Sequence, residues 1–249
     1  MGTPRLDITG HRATITLDRP DKRNRIGNDD LEALAVHLDR IDTDREVRSL
    51  ELRAEPPVFC AGYDLGSIGG EAPPVSFAEL CDRLERVRVP SIAVIEGGVY
   101  GGGVDLLLAC DLRIGTPAAT LRMPAVRLGI QYYASGLRRA TATLGPATAK
   151  RLFLLAEQHD ADALHRLGVL DELVPSEELG SVVDAWTDAL AAGAPGAVAS
   201  TKAAIASFAR GDGHEPTIDE GHRASIASAD HAEALTARAE RRDPRFTGT

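Results

Sequence analysis

Cysteine is scarce in this chain, long apolar runs are missing and positive charge is not in excess, and each shortage removes a class of function. The three cysteines, Cys60, Cys81 and Cys110, are odd in number and show no C-x-x-C spacing, so neither a disulfide framework nor a zinc site is expected. Histidine offers no metal centre either: His159, His165, His214, His222 and His231 stand in polar, helical contexts without ligand spacing and read as surface residues. No stretch reaches the ~18 consecutive apolar residues of a membrane span. Residues 1–7 lack the apolar segment of an export signal, so a cytoplasmic location is expected. The formal charge is −9, with acidic and basic residues interspersed, which argues against nucleic acid or an anionic membrane as partner. The G-x-G-x-x-G fingerprint and the P-loop Lys-Ser/Thr are also missing, which sets nucleotide cofactors aside.

What is present is a chain of 249 residues, 43% apolar, enough for one large domain with a real core. Residues 6–9 and 13–17 alternate apolar and polar around Gly10-His11, predicting a hairpin with one buried face. Asn28-Asp29-Asp30 resembles a helix cap before Leu31, Leu34, Ala35, Leu38 and Ile41, whose spacing places them on one helical face. A strand is expected over 47–52, a loop-rich mobile connector over 66–74, a helix over 77–87 and a buried strand over 91–96. Residues 97–103 then open a helix over 104–109, and 112–114 resume as strand. Short strands alternating with helices, without a fixed-period repeat, predict one α/β domain. From 179 to 242 the pattern is helical and alanine-rich, interrupted near 193–196 and 211–213. The division expected is a site-bearing core over 1–190 and a C-terminal helical region over 191–249.

The densest signal is Glu96-Gly97-Gly98-Val99-Tyr100-Gly101-Gly102-Gly103-Val104-Asp105, a strand running into glycines and then a helix. Without Cβ atoms this backbone can approach a ligand closely, and the first N–H groups of a helix have no internal partner and favour negative charge. Taken alone, the same glycines fit a tight, closely packed turn. A second segment, Phe59-Cys60-Ala61-Gly62-Tyr63-Asp64-Leu65, follows another strand and can present a free N–H at Tyr63.

Together these segments resemble the enoyl-CoA hydratase/isomerase, or crotonase, superfamily. The similarity extends to Asp18-Arg19-Pro20, Leu128-Gly129, Leu167-Gly168-Val169-Leu170-Asp171 and the closing Arg241-Arg242-Asp243-Pro244-Arg245-Phe246-Thr247-Gly248. The resemblance implies an α/β crotonase-like spiral of ββα units with a C-terminal helical trimerisation region. It implies an acyl-CoA thioester as substrate, a homotrimer or dimer of trimers, and no cofactor beyond the coenzyme A of the substrate. The family's two oxyanion donors fall on the N–H groups of Tyr63 and Gly102, with Ala61, Gly62, Asp64 and Leu65 around the acyl-CoA. Lys22, Arg23, Arg25 and Arg241 fall where similar enzymes contact its phosphates, although a solvated basic loop reads the same way.

Two departures from the hydratase pattern bear on the reaction. The glutamates with which hydratases activate water correspond to Asp105, shorter by one methylene, and to Ala125, which cannot move a proton. The stretch around Met123-Pro124-Ala125 and Tyr132 instead resembles the methylmalonyl-CoA decarboxylase branch, in which loss of CO2 makes the enolate without a base. That branch carries histidine where Tyr63 stands, so Tyr63 either supplies a hydrogen bond in its place or reshapes the pocket. Asp105 in a first helical turn also suits the helix dipole alone. Tyr132 and Tyr133, read as pointing their rings in different directions, also fit core or interface packing. Decarboxylation of a malonyl-type CoA is expected first; isomerisation or hydration through Asp105 alone, and acyl-CoA binding without catalysis, are the alternatives.

Overall fold

The alternation at the start of the chain produces the expected hairpin: β1 (Arg5–Thr9) and β2 (Arg12–Leu17) pair antiparallel, with Ala13, Ile15 and Leu17 turned into the core. The computed structural model describes residues 2–67 and 73–249. After the hairpin, α1 (Asn28–Thr43) buries Leu31, Leu34, Ala35, Leu38 and Ile41 along one face. Its cap lies one residue earlier than the sequence suggests. Gly27 is the N-cap, and Asp30 closes the turn from inside by accepting the Gly27 N–H at 2.8 Å.

Three ββα units follow. The first is β3 (Ser49–Ala54), β4 (Val58–Cys60) and α2 (Phe77–Arg86); the second is β5 (Ser91–Ile95), β6 (Gly98–Tyr100) and α3 (Gly102–Leu108). The third is β7 (Leu112–Gly115), β8 (Thr120–Arg122) and α4 (Ala134–Lys150), the last broken at Gly145. Each unit gives its first strand to one sheet and its second to another, so the chain climbs as a spiral. With β9 (Gln158–Asp160), α5 (Ala161–Arg166) and β10 (Glu172–Leu173) the sheets are complete, a six-stranded one ordered β1-β2-β3-β5-β7-β10 and a four-stranded one ordered β4-β6-β8-β9. All five residues of β5 are buried, as a parallel strand covered on both faces requires.

Several expectations need correction. The glycine-rich stretch after Ile95 is not a simple turn, because residues 98–100 form a strand of the second sheet before the helix opens. His159 is not a surface residue; it sits on β9 with 6% of its surface exposed, whereas His165, His214, His222 and His231 are exposed. The connector expected over 66–74 falls largely on residues 68–72, outside the described residues; Leu65–Ser67 is a 3-10 turn.

At the C-terminal end, α6 (Leu179–Ala191) lays Leu179 and Val183 on Ile92, Val94 and Ile114. It is followed by α7 (Pro195–Arg210), α8 (Glu215–Ile226) and α9 (Ala229–Glu240). An ion pair between Lys202 and Asp111, 2.6 Å apart, fastens α7 to the core. The tail folds back: Asp230 accepts the N–H groups of Thr247 and Gly248 at 2.8 and 3.0 Å. Among the described residues no helix is long and apolar enough to cross a membrane, and no group of three or more His, Cys, Asp or Glu residues is placed to hold a metal.

Candidate active site

The second sheet explains why segments forty positions apart meet. β4 pairs parallel with β6, with Cys60 opposite Val99, so both strands deliver their following loops to the same edge. The Ile26 N–H donates to the Gly62 carbonyl at 2.9 Å and the Asp64 N–H to the Ile26 carbonyl at 2.8 Å, which pins the first loop and leaves the Tyr63 N–H unused. Gly101 takes φ +53° and Gly62 φ +91°, left-handed values that turn both loops sharply. A Cβ added to Gly102 would lie 3.1 Å from the Tyr63 nitrogen, and one added to Gly62 would lie 2.7 Å from the Gly102 nitrogen. The two nitrogens therefore lie beside one small gap that only glycine leaves open, and neither N–H has a hydrogen-bond partner among the described residues. Such a pair can hold an oxygen that gains negative charge.

Both residues line a cavity of about 380 Å³. Ala61, Leu65, Ala125 and Tyr132 line it as well, together with Phe77, Tyr100, Met123, Ile130, Gln131 and Tyr133, which the sequence did not single out as site residues. No carboxylate belongs to this lining among the described residues. The wall is aromatic and aliphatic, which suits the acyl end of a thioester. Of the signals available, only the neighbourhood of Tyr132 in the chain pointed toward Gln131 and Tyr133.

Tyr63 contributes its ring as a wall. Its hydroxyl donates to the Asn28 side chain at 2.7 Å, and its ring tilts against Phe77 with centroids 5.7 Å apart. The hydroxyl is thus tied to the start of α1 while the ring forms part of the cavity lining.

Asp105 is buried, with 1% of its surface exposed, and lies behind the cavity wall. Its Oδ1 accepts from Arg139 Nε at 2.9 Å, and its Oδ2 accepts from Arg139 Nη2 at 3.3 Å and from the Tyr133 hydroxyl. Burial works against the Arg139 charge, but the hydrogen bond and charge of Asp105 outweigh it and hold the guanidinium more firmly protonated than usual. Tyr132 and Tyr133 do not diverge as the sequence suggested. Their rings stack, centroids 4.3 Å apart and 27° between planes, and the Tyr132 hydroxyl donates to that of Tyr133 at 3.2 Å. Burial, with the charge of Asp105 close by, raises both phenols well above their ordinary value, so both stay protonated.

The basic residues expected at coenzyme A are dispersed. Arg23 lies over the Tyr100 ring, 5.1 Å from its centroid, and so reaches the cavity edge. Arg25 pairs with Asp64 at 3.3 Å beside it, and Lys22 is exposed in the same loop. Arg241 caps the far end of α9 and does not line the cavity.

Comparison with known proteins bears on the family and the fold. The sequence profile described as enoyl-CoA hydratase/isomerase matches residues 8–249. An enoyl-CoA isomerase/hydratase of Mycosarcoma maydis is 33% identical over 94% of this chain and 92% of its own. The human mitochondrial enoyl-CoA hydratase domain-containing protein 2 is 32% identical over 94% of this chain and 85% of its own. The crystal structure of an enoyl-CoA hydratase from Bacillus anthracis, 28% identical, superposes with a TM-score of 0.91 over 100% of both chains. Since the match runs from the first strand to the last residue and the spiral superposes throughout, this chain belongs to the enoyl-CoA hydratase/isomerase family.

Proposed function

We propose that this enzyme removes CO2 from a malonyl-type acyl-CoA and protonates the thioester enolate that remains. The observation that carries the reading is that, among the described residues, no carboxylate belongs to the cavity lining, with the one acid of α3 locked behind the wall by Arg139 and Tyr133. Hydration by two acids needs both of them at the substrate; decarboxylation needs none, because the departing CO2 leaves its bonding electrons on the α-carbon. In this reading the substrate carboxylate sits among apolar walls and is destabilised there, while the thioester oxygen takes up the developing charge between the Tyr63 and Gly102 N–H groups. Tyr132, protonated and facing the cavity, gives the proton.

Coenzyme A enters only as the handle of the substrate, its phosphates lying toward Lys22, Arg23 and Arg25. A neighbouring copy is the proposed route by which Arg241 joins them, in a homotrimer or a dimer of trimers. The cytoplasm is the proposed location, in keeping with three buried, unpaired thiols.

The names of the relatives favour a second reading, hydration or double-bond isomerisation, in which Asp105 acts through Tyr133. Incubation with malonyl-, methylmalonyl-, enoyl- and hydroxyacyl-CoA, read by mass spectrometry, separates the two. Loss of CO2 from the malonyl-type substrates with the enoyl-CoAs untouched is the expected result. Hydrated or isomerised enoyl-CoA with intact malonyl-CoA would select the second reading. Binding without product would leave only an acyl-CoA binder.

A further inference from the structure

Behind the cavity runs a continuous chain of polar contacts, of which the reaction as described uses only Tyr132. Tyr132 donates to Tyr133, Tyr133 to Asp105, and Asp105 is gripped by Arg139. Arg139 has 2% of its surface exposed and is itself held by Asp82 at 3.2 Å and by Glu85 at 2.9 Å. The Tyr132 ring is fixed on its other side by Phe153, with centroids 5.5 Å apart. Gly136, on the first turn of α4, completes the fit: a Cβ there would run into the Tyr132 ring and lie 3.0 Å from Asp105 Oδ2.

We propose that Tyr133, held by the buried Asp105–Arg139 pair, is the positioning residue that makes Tyr132 a stereospecific proton donor to the enolate. This assignment rests on enolate formation in the cavity, by whichever route. When the enolate stands in the cavity, the Tyr132 hydroxyl rotates from Tyr133 toward its α-carbon. The enolate π pair forms the new C–H bond, the thioester C=O is restored, and the O–H electrons stay on Tyr132 as phenolate. Tyr133 then turns its hydrogen from Asp105 to the Tyr132 oxygen across 3.2 Å. Asp105 gives up that hydrogen bond without taking the proton and stays paired with Arg139, which still grips both of its oxygens. Water at the cavity mouth returns a proton to Tyr132. Without Tyr133 the phenolate would form beside apolar walls with no donor, a cost that falls on the protonation step and not on binding.

The test follows the carbon that receives the proton. In deuterium oxide, methylmalonyl-CoA losing CO2 and crotonyl-CoA adding water both end with deuterium at C2, so the configuration there reads the donor whichever reaction forms the enolate. Wild-type enzyme should give one configuration. Tyr133→Phe keeps the stacked ring, and it should lower kcat about 10²-fold, the lower range for a positioned acid, with KM within about two-fold and C2 configuration scrambled. Arg139→Lys should retain more activity and stereospecificity than Arg139→Met at comparable melting temperature. A folded Tyr133→Phe enzyme with wild-type kcat and a single configuration would overturn the relay and leave the decarboxylation reading standing. Hydration with a relay-dependent configuration would do the reverse, and wild-type enzyme yielding no C2-labelled product from either substrate would overturn both.

Discussion

At the scale of single residues, Gly102 carries much of the proposed chemistry, through a bare N–H and the lack of a Cβ. A side chain there would meet the Phe77 ring at 2.9 Å and the Tyr63 nitrogen at 3.1 Å. Gly102→Ala and Gly102→Pro both add a Cβ there, but only proline removes the donor, its Cδ standing where the hydrogen was, and the first helical position otherwise tolerates it. The proline variant should lose a further ~10² to 10³ in kcat relative to alanine; equal rates for the two would place the oxyanion elsewhere. The glycine cluster and its strand-to-helix order were legible in the sequence because both are local, whereas the choice of Tyr63 and Gly102 as donors came from the family resemblance. Arg139 was not legible, because it bonds an acid 34 positions away. Written as Arg138-Arg139, the pair gives no sign of which arginine turns inward, and one residue of helical rotation decides it. The hydroxyl of Tyr63 is a similar case, since only the folded chain brings Asn28 to it.

Among the elements, α2 links stability to the site. Phe77 at its start packs on Tyr63, and Asp82 and Glu85 further along hold Arg139. The helix begins with a capping box: Ser76 Oγ accepts the Glu79 N–H at 3.2 Å, and Glu79 accepts the Ser76 N–H at 2.8 Å. The Ser76 N–H bond and hydroxyl, in that order, lower the Glu79 pKa, so the carboxylate is favoured in the folded state. Ser76→Ala should cost ~1 kcal/mol in denaturant-induced unfolding, and an unchanged midpoint would show the cap to be dispensable. Elements of this kind announce themselves by periodicity and end signals, which is why α1, α2 and the first hairpin fall close to where the sequence puts them. The three-residue strands β6 and β9 do not, since so short a segment is a strand only when its partners are present, and those partners come from distant turns of the spiral. His159 was misread for that reason.

For the molecule as a whole, the C-terminal helices pose a packing problem. α7 and α8 contain no buried residue, and Ile205, Phe208, Ile226 and Leu235 are between 51% and 65% exposed. Helices of this composition gain stability mainly by burying an apolar face, so a surface of this kind calls for a cover. Sedimentation should therefore give the mass of three or six copies at micromolar concentration, and a Phe208→Asp, Ile205→Asp double variant should shift it toward one. A monomeric wild-type species would refute the proposed assembly.

The proposed division of labour in the cavity, main chain at the thioester oxygen and side chains elsewhere, bears on how such a protein changes over generations. Almost any mutation can replace Ala125 or Tyr132, but the N–H groups of Tyr63 and Gly102 belong to the polymer itself, and among the common substitutions only proline deletes one. Descendants can thus trade one reaction for another by altering a lining residue while inheriting the carbonyl grip intact.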